Sequence, residues 1–321
     1  MKRALYILLT LLLCCCNTVP VEEINIEQCQ SLPEVRACAT MFAYEGKVYV
    51  FGGHDDSGKY HNDLYEYDEQ TDQWQKLGQT PLKARIYPIS VVVDGKAYIG
   101  LGYSGQGVNK DSNYLVDFWS YDIKQDKWVR LADYPSRKAN NAICFATDGY
   151  IYAGLGFHEF TNELYRYDIN ADKWSVKDEI ATFPTRCTGA VAAGVGKQHF
   201  VGTGFRKNSK TDWYEYIEAD NKWLKRTFLP YKGRYNAACA TTSESAYIFG
   251  GWHYGDTLTN GFYFGDILRY DVAADRWFSE GSIPAGNLMN MQAAATDNYI
   301  YFGLGEAING ENKRYIYRFK K

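Results

Sequence analysis

Arginine recurs along this chain at Arg36, Arg85, Arg137, Arg186 and Arg234, and Asn287 takes the corresponding place in a sixth segment. A guanidinium pairs bidentately with a carboxylate, so a ring of such residues would form an anion-binding well. The same groups can instead hydrogen-bond one segment of the chain to the next, and both readings stand. A second set follows a recurrent glycine: His54, Tyr103, Phe157, Phe205, Trp252 and Glu306. Most of its members are aromatic or imidazole, which suits either stacking on sugar rings or plain loop packing. Histidines occur at His54, His61, His158, His199 and His253 without any paired spacing. His54, His158 and His253 fall in comparable places after a glycine, yet surface or packing roles fit them better than a metal centre. No metal and no cofactor is predicted.

Both sets are positioned by one unit that recurs. A strand ending in glycine appears as Tyr49-Val50-Phe51-Gly52-Gly53, Tyr98-Ile99-Gly100-Leu101-Gly102 and Tyr152-Ala153-Gly154-Leu155-Gly156. It returns as Phe200-Val201-Gly202-Thr203-Gly204, Tyr247-Ile248-Phe249-Gly250-Gly251 and Tyr301-Phe302-Gly303-Leu304-Gly305. The period is about 50 residues, long enough for a four-stranded sheet. A Tyr-Asp segment follows each glycine, as in Leu64-Tyr65-Glu66-Tyr67-Asp68, and a tryptophan stands seven residues past its last tyrosine at Trp74, Trp128, Trp174, Trp223 and Trp277. Each unit thus reads as strands a to d: a after the arginine, b ending in glycine, c carrying Tyr-Asp and d carrying tryptophan. Six such sheets around an axis make a propeller, in which the d-to-a and b-to-c connections share one face. Ile316-Tyr317-Arg318-Phe319 is the last c strand, and no tryptophan follows it. The segment Ile24-Asn25-Ile26 is therefore expected to supply the missing outer strand and close the ring.

Composition agrees with an all-β chain. There are 28 Tyr, 29 Gly and 8 Trp against 4 Met in 321 residues, a balance that favours short strands punctuated by glycine. A net charge of -3 argues against nucleic-acid binding, which needs a basic face. Lys2 and Arg3 precede an apolar run from Ala4 to Leu13, too short to span a bilayer and suited to an export signal. Leu13-Cys14-Cys15-Cys16 resembles a relaxed bacterial lipobox, which implies acylation at Cys16, or at Cys14 or Cys15 if cleavage falls earlier. The expected layout is a signal over 1–16, a polar tether over 17–23 and a propeller over 24–321. Five further cysteines, Cys29, Cys38, Cys144, Cys187 and Cys239, form no zinc spacing and read as buried free thiols.

The glycine, Tyr-Asp and tryptophan positions together resemble the kelch repeat over almost the whole chain. Gly52-Gly53 and Gly250-Gly251 keep the double glycine of that family, while the other four units have Gly-x-Gly. The resemblance implies a six-bladed kelch β-propeller with the d-to-a residues around the mouth of a central channel. Galactose oxidase is also a kelch propeller, but its copper ligands have no counterpart here. Bacterial sialic acid mutarotases are exported six-bladed kelch propellers that are thought to use a glutamate and an arginine on one b-to-c loop. Gly305-Glu306-Ala307 followed by Lys313 and Arg314 is similar. By that resemblance Glu306 is the candidate general base, with Arg36, Arg234 or Arg314 as carboxylate clamp; a solvated loop glutamate is the other reading.

The functional expectation is a cell-envelope lipoprotein at the outer membrane or periplasmic face, held to the membrane by its lipid anchor only. It would bind a small acidic sugar or other glycan-derived ligand at the channel mouth without chemistry of its own. A sugar-acid mutarotase and a scaffold for another envelope protein are the alternatives.

Overall fold

A computed structural model describes residues 19–105, 110–137, 139–157, 160–255 and 260–321. The expected signal segment, Cys16 and His158 lie outside the described residues. Six four-stranded antiparallel sheets are arranged as the blades of a propeller. Blade 1 runs through Thr40–Tyr44, Lys47–Phe51, Asp63–Asp68 and Gln73–Gln79, strands a to d from the axis outwards. The a strands of all six blades line a channel of 190 Å³, walled by small residues such as Thr40, Ser90, Ala190 and Ala238.

Blade 6 orders Gln292–Ala295, Tyr299–Gly303, Ile316–Lys320 and, outermost, Glu27–Gln28 from the beginning of the chain. Glu27 pairs with Arg318 and Gln28 with Tyr317, so the ring closes as the sequence predicts, a step later than expected. Ile24 and Ile26 instead pack against the Phe249, Phe302 and Phe319 cluster between blades 5 and 6. The segment expected as a free tether is also engaged. Val21 bridges Ser279 in parallel on the outer strand of blade 5, the Ser279 N–H donates to the Pro20 carbonyl, and Glu22 pairs with Arg269.

The recurrent Tyr-Asp-Trp spacing has a physical cause. In five blades the strand-c tyrosine hydroxyl donates to the residue five positions on: Asp72, Asp126, Asp172, Asn221 or Asp275, at 2.6–2.9 Å. That residue turns the chain from c to d with a positive φ of 47–54°, a region Asp and Asn tolerate better than most. In four blades its side-chain oxygen also accepts a backbone N–H of the preceding blade, from Gln30, Ala132, Ala181 or Thr227. The tryptophan indole N–H donates to the carbonyl of that same residue at 2.8–3.0 Å. Each such seam thus grips one residue of its neighbour by both its N–H and its carbonyl, with partly charge-assisted bonds. At the Gln30 seam, Asp72 and Trp74 of blade 1 hold the beginning of the chain.

The two glycine patterns are two solutions to one backbone shape. The residue before the last glycine has φ of 56–72° in every blade: Gly52, Leu101, Leu155, Thr203, Gly250 and Leu304. A non-glycine residue there costs about 1 kcal/mol. Where leucine or threonine takes it, the preceding residue is glycine, and at Gly154 a Cβ would lie 2.2 Å from the Glu163 carbonyl. Phe51 and Phe249 fill the core from one position; Leu101, Leu155 and Leu304 fill it from the next, all 0% exposed.

The five cysteines that follow the expected leader carry free thiols. Burial pushes Cys144, Cys187 and Cys239 up to about 12, so they pack as small apolar groups.

Candidate functional site

The channel mouth is built by one left-handed residue at the start of each a strand. Cys38, Tyr87, Asn141, Gly189, Asn236 and Asn290 all have φ of 53–60°. Their backbones form a relay of hydrogen bonds around the axis. Tyr87 N–H donates to Cys38, Gly189 to Asn141, Asn236 to Gly189, Asn290 to Asn236 and Cys38 to Asn290. The asparagine amides fall at this rim, and Asn141 Nδ2 donates to Asn236 Oδ1 at 2.8 Å across it.

A second contact fixes the register of the entry segments. The last b-strand glycine donates its N–H to a carbonyl two residues before the next blade's left-handed residue. The pairs are Gly53 to Arg85, Gly156 to Cys187, Gly204 to Arg234, Gly251 to Leu288 and Gly305 to Arg36, at 2.8–3.0 Å. Arg36, Arg85 and Arg234 are therefore equivalent, but their counterparts in the other blades are Ala139, Cys187 and Leu288. Arg137, Arg186 and Asn287 stand one or two residues off that register and are exposed. Arg137 donates to the Tyr114 carbonyl at a separate cleft between blades 2 and 3.

The three equivalent arginines do not form an anion well. Each is 0% exposed and meets an aspartate at or just before the start of strand c in its own blade. Arg85 holds Asp117 bidentately at 2.9 and 2.8 Å and donates to the Leu101 carbonyl. Arg234 does the same with Asp266 and the Gly250 carbonyl, and lies 3.7 Å over Phe264. Arg36 reaches Asp63 at 3.1 Å and Glu34 at 2.7 Å. Burial alone would raise the Asp117 carboxyl, and the Arg85 hydrogen bonds and charge outweigh it, holding that group below its ordinary range. Glu34, His61 and Asp63 offer ligand atoms within 4.8 Å of one another. Arg36 and Lys76 already neutralise that cluster, with Lys76 Nζ 2.8 Å from Asp63.

The residues after the glycines do gather on the mouth face, and they divide into two halves. Phe157, Phe205 and Trp252 belong to a chain of rings across blades 3 to 5. Phe157 meets Phe160 at 5.4 Å, Phe205 meets Tyr235 at 4.9 Å, and Tyr235 meets Trp252 at 5.1 Å. Tyr103 packs edge-on against Tyr114 at 5.0 Å. His54 and Glu306 instead face a cavity of 730 Å³ with Cys38, Tyr60, Tyr87 and Asn290. Asn290 Nδ2 lies 3.5 Å from Glu306 Oε2, while its Oδ1 is buried with no partner in a residue 5% exposed. Asn312, paired in the chain with Glu306, places Nδ2 3.4 Å from His54 Nδ1. Burial raises the Tyr87 hydroxyl well above its ordinary value, so it stays protonated and can donate.

The cavity thus offers a carboxylate, an imidazole, an amide and two phenols, a set that can hydrogen-bond a polyhydroxylated ligand. Arg314 does not line it; that residue is exposed and its carbonyl accepts the Leu32 N–H. His253 is pinned to the Gly233 carbonyl, and His199 stacks on Phe145 inside the blades. Asn290 was not singled out from sequence. The signal was available: the left-handed residue follows the strand-d tryptophan by thirteen at Tyr87, Asn141, Asn236 and Asn290.

The fold is that of a six-bladed propeller of kelch repeats. Residues 10–142 match a family model described as the KLHDC2/KLHL20/DRC7 Kelch-repeats domain. The chain is 24% identical over 89% of its length to Leucine-zipper-like transcriptional regulator 1 homolog of Drosophila melanogaster, and covers 31% of that protein. It is similar at 23% identity, over 64% of its length, to N-acetylneuraminate epimerase 1 of Escherichia coli O6:H1, and covers 51% of it. It therefore spans about a third to a half of these curated relatives. Its fold matches the solved structure of YjhT with a TM-score of 0.73 at 17% identity, over 90% of this chain and 95% of the other.

Proposed function

We propose that this propeller is an exported, acylated protein of the cell envelope that binds a glycan-derived sugar at its channel mouth. The observation that carries the reading is the 730 Å³ cavity, on whose wall Asn290, with its Oδ1 buried and without a partner, stands beside Glu306. A buried acceptor left unsatisfied is costly, and a turn of the amide that presents Oδ1 to a sugar hydroxyl relieves that cost. Arg36, Arg85 and Arg234 are engaged with Asp63, Asp117 and Asp266, and Arg137 and Arg186 stand off their register. Recognition through hydroxyl and amide groups is accordingly preferred to recognition of a carboxylate.

A second reading, sugar-acid epimerisation, is favoured by the seating of Glu306 in the cavity with His54 and by the name of the Escherichia coli relative. In that reading Glu306 is the base that opens the ring hemiacetal. Saturation-transfer and exchange NMR of the full chain, with N-acetylneuraminate, uronic acids and neutral N-acetylhexosamines, separates the two. Binding without anomer exchange, weakened about tenfold in Glu306→Gln, supports recognition alone. Accelerated exchange that disappears in Glu306→Gln makes the protein an enzyme. No transfer to any of the sugars overturns both.

A further inference from the structure

The described chain begins at Val19, inside a groove on the outer edge of blades 4 and 5. Val19 and Pro20 line this 410 Å³ groove with Phe228, Tyr231 and Trp277. Pairing of Pro20 and Glu22 with Ser279 fixes the direction in which the chain departs. The edge is unusually apolar for a surface: Val21 is 67% exposed, Phe228 48% and Tyr231 63%, with Leu224 beside them on the outer strand of blade 4. Lys225 stands 4.3 Å over the Phe228 ring. Lys225, Lys232 and Arg276 carry no ion pair among the described residues, while nearby Glu22 is paired with Arg269 and Asp275 with the Tyr270 hydroxyl.

Only Asn17 and Thr18 separate Val19 from Cys16, and the three residue-to-residue steps reach at most about 10 Å when fully extended. We infer that this edge of blades 4 and 5 rests on the phospholipid surface, with Phe228 and Tyr231 in the headgroup region and Lys225, Lys232 and Arg276 on anionic lipid. The inference rests on the acylation of Cys16 proposed above. Acyl chains at Cys16 must lie within the bilayer, so so short a link leaves the propeller no room to stand away from it. Aromatic rings suit the headgroup level and basic side chains suit anionic lipid. The membrane contact then exceeds a lipid anchor alone. It also leaves the ligand cavity of blades 6, 1 and 2 across the ring from the bilayer, open to the aqueous side.

The test uses the full chain, exported, purified and reconstituted on vesicles of phosphatidylethanolamine and phosphatidylglycerol. A fluorophore is attached at Tyr231→Cys or, across the ring, at Lys59→Cys; both sites are exposed. Headgroup spin-labelled phospholipid is expected to quench the probe at position 231 about fivefold more than the probe at 59, as a contact depth of 5–10 Å requires. An acylated, vesicle-bound chain with equal quenching at the two sites overturns the edge contact and leaves the anchor standing. An intact mass without acyl groups on a terminal cysteine overturns both.

Discussion

Two polar layers sit two residues apart on the segments that enter the a strands, and they differ in how far their hydrogen-bonding capacity is used. In the first, Arg36, Arg85 and Arg234 are fully buried and each guanidinium is matched by a carboxylate of its own blade, although Arg234 Nε has no partner. In the second, Asn290 and its neighbours Glu306 and His54 form the wall of a cavity with a buried acceptor left over. Both layers rest on equally firm backbone, since the glycine-to-carbonyl links and the left-handed relay bind blade to blade in the same way. The contrast teaches that charge and repetition in a sequence mark the parts that hold a ring together as readily as the parts that meet a ligand. What separates them is that each arginine already has its counter-charge within its own blade.

The largest test of that difference is Arg85→Ala. It strands Asp117 without a cation, leaving it the Trp119 indole N–H at 2.9 Å and a backbone N–H. Breaking a buried ion pair from one side costs about 3–5 kcal/mol, to be read as a shift of the guanidinium unfolding midpoint. The sign of its pH dependence follows from the lowered Asp117 pKa. That pair stabilises the fold fully above the ordinary aspartate value of about 4, and its contribution fades as pH falls through the lower folded value. The gap between the native chain and Arg85→Ala should therefore narrow from pH 7 towards acid. A gap that widens would remove the ion pair from the account.

Arg36→Ala should be milder, although its aspartate is the more deeply buried. Asp63 keeps Lys76 at 2.8 Å after the change, so one cation still faces the carboxylate and the loss falls to about 1–3 kcal/mol. Replacing Lys76 by methionine as well removes that support and should bring the total to the scale of Arg85→Ala. Equal unfolding midpoints for the single and double variants would show that Lys76 does not share the site.

The propeller was legible because each repeated residue answers to a repeated local geometry. Tyr67, Asp72 and Trp74 clamp one residue of the preceding blade, and the same clamp recurs at Tyr167, Tyr216 and Tyr270, so spacing and structure carry the same information. The b-strand glycines were legible for the same reason. The arginine register was not. Arg137 and Arg186 carry the residue type without the position, because the segment joining d to a differs among blades. Gly189 follows Trp174 by fifteen residues where four other blades use thirteen. Side chains alternate along an extended segment, so an offset of one sends Arg186 outward while Cys187 takes the buried place. The cavity was half legible. His54 and Glu306 were marked by the glycines before them, but Asn290 shows no distinctive type in a chain whose mouth also uses Asn141 and Asn236. Its importance lies in an unpaired oxygen, which only the packing reveals.

The smallest stability effect should come from Asn290→Gly, and it is the sharpest test of the second layer. Glycine already occupies the equivalent place at Gly189 and accepts the positive φ without strain. The change removes an acceptor with no partner, so stability should move by less than about 1 kcal/mol, the scale of glycine's extra chain entropy. Sugar binding should weaken about tenfold, the loss of one good hydrogen bond. Asn236→Gly supplies the contrast within the same ring. Its Oδ1 accepts from Asn141 Nδ2 at 2.8 Å, so it should cost more stability and leave the sugar affinity nearly unchanged. Titrations of both variants with the sugar that saturates the native chain, alongside their unfolding curves, place each residue in one layer or the other. If Asn290→Gly proves the more destabilising and Asn236→Gly the weaker binder, the ligand meets the ring on the opposite side from the cavity of Glu306.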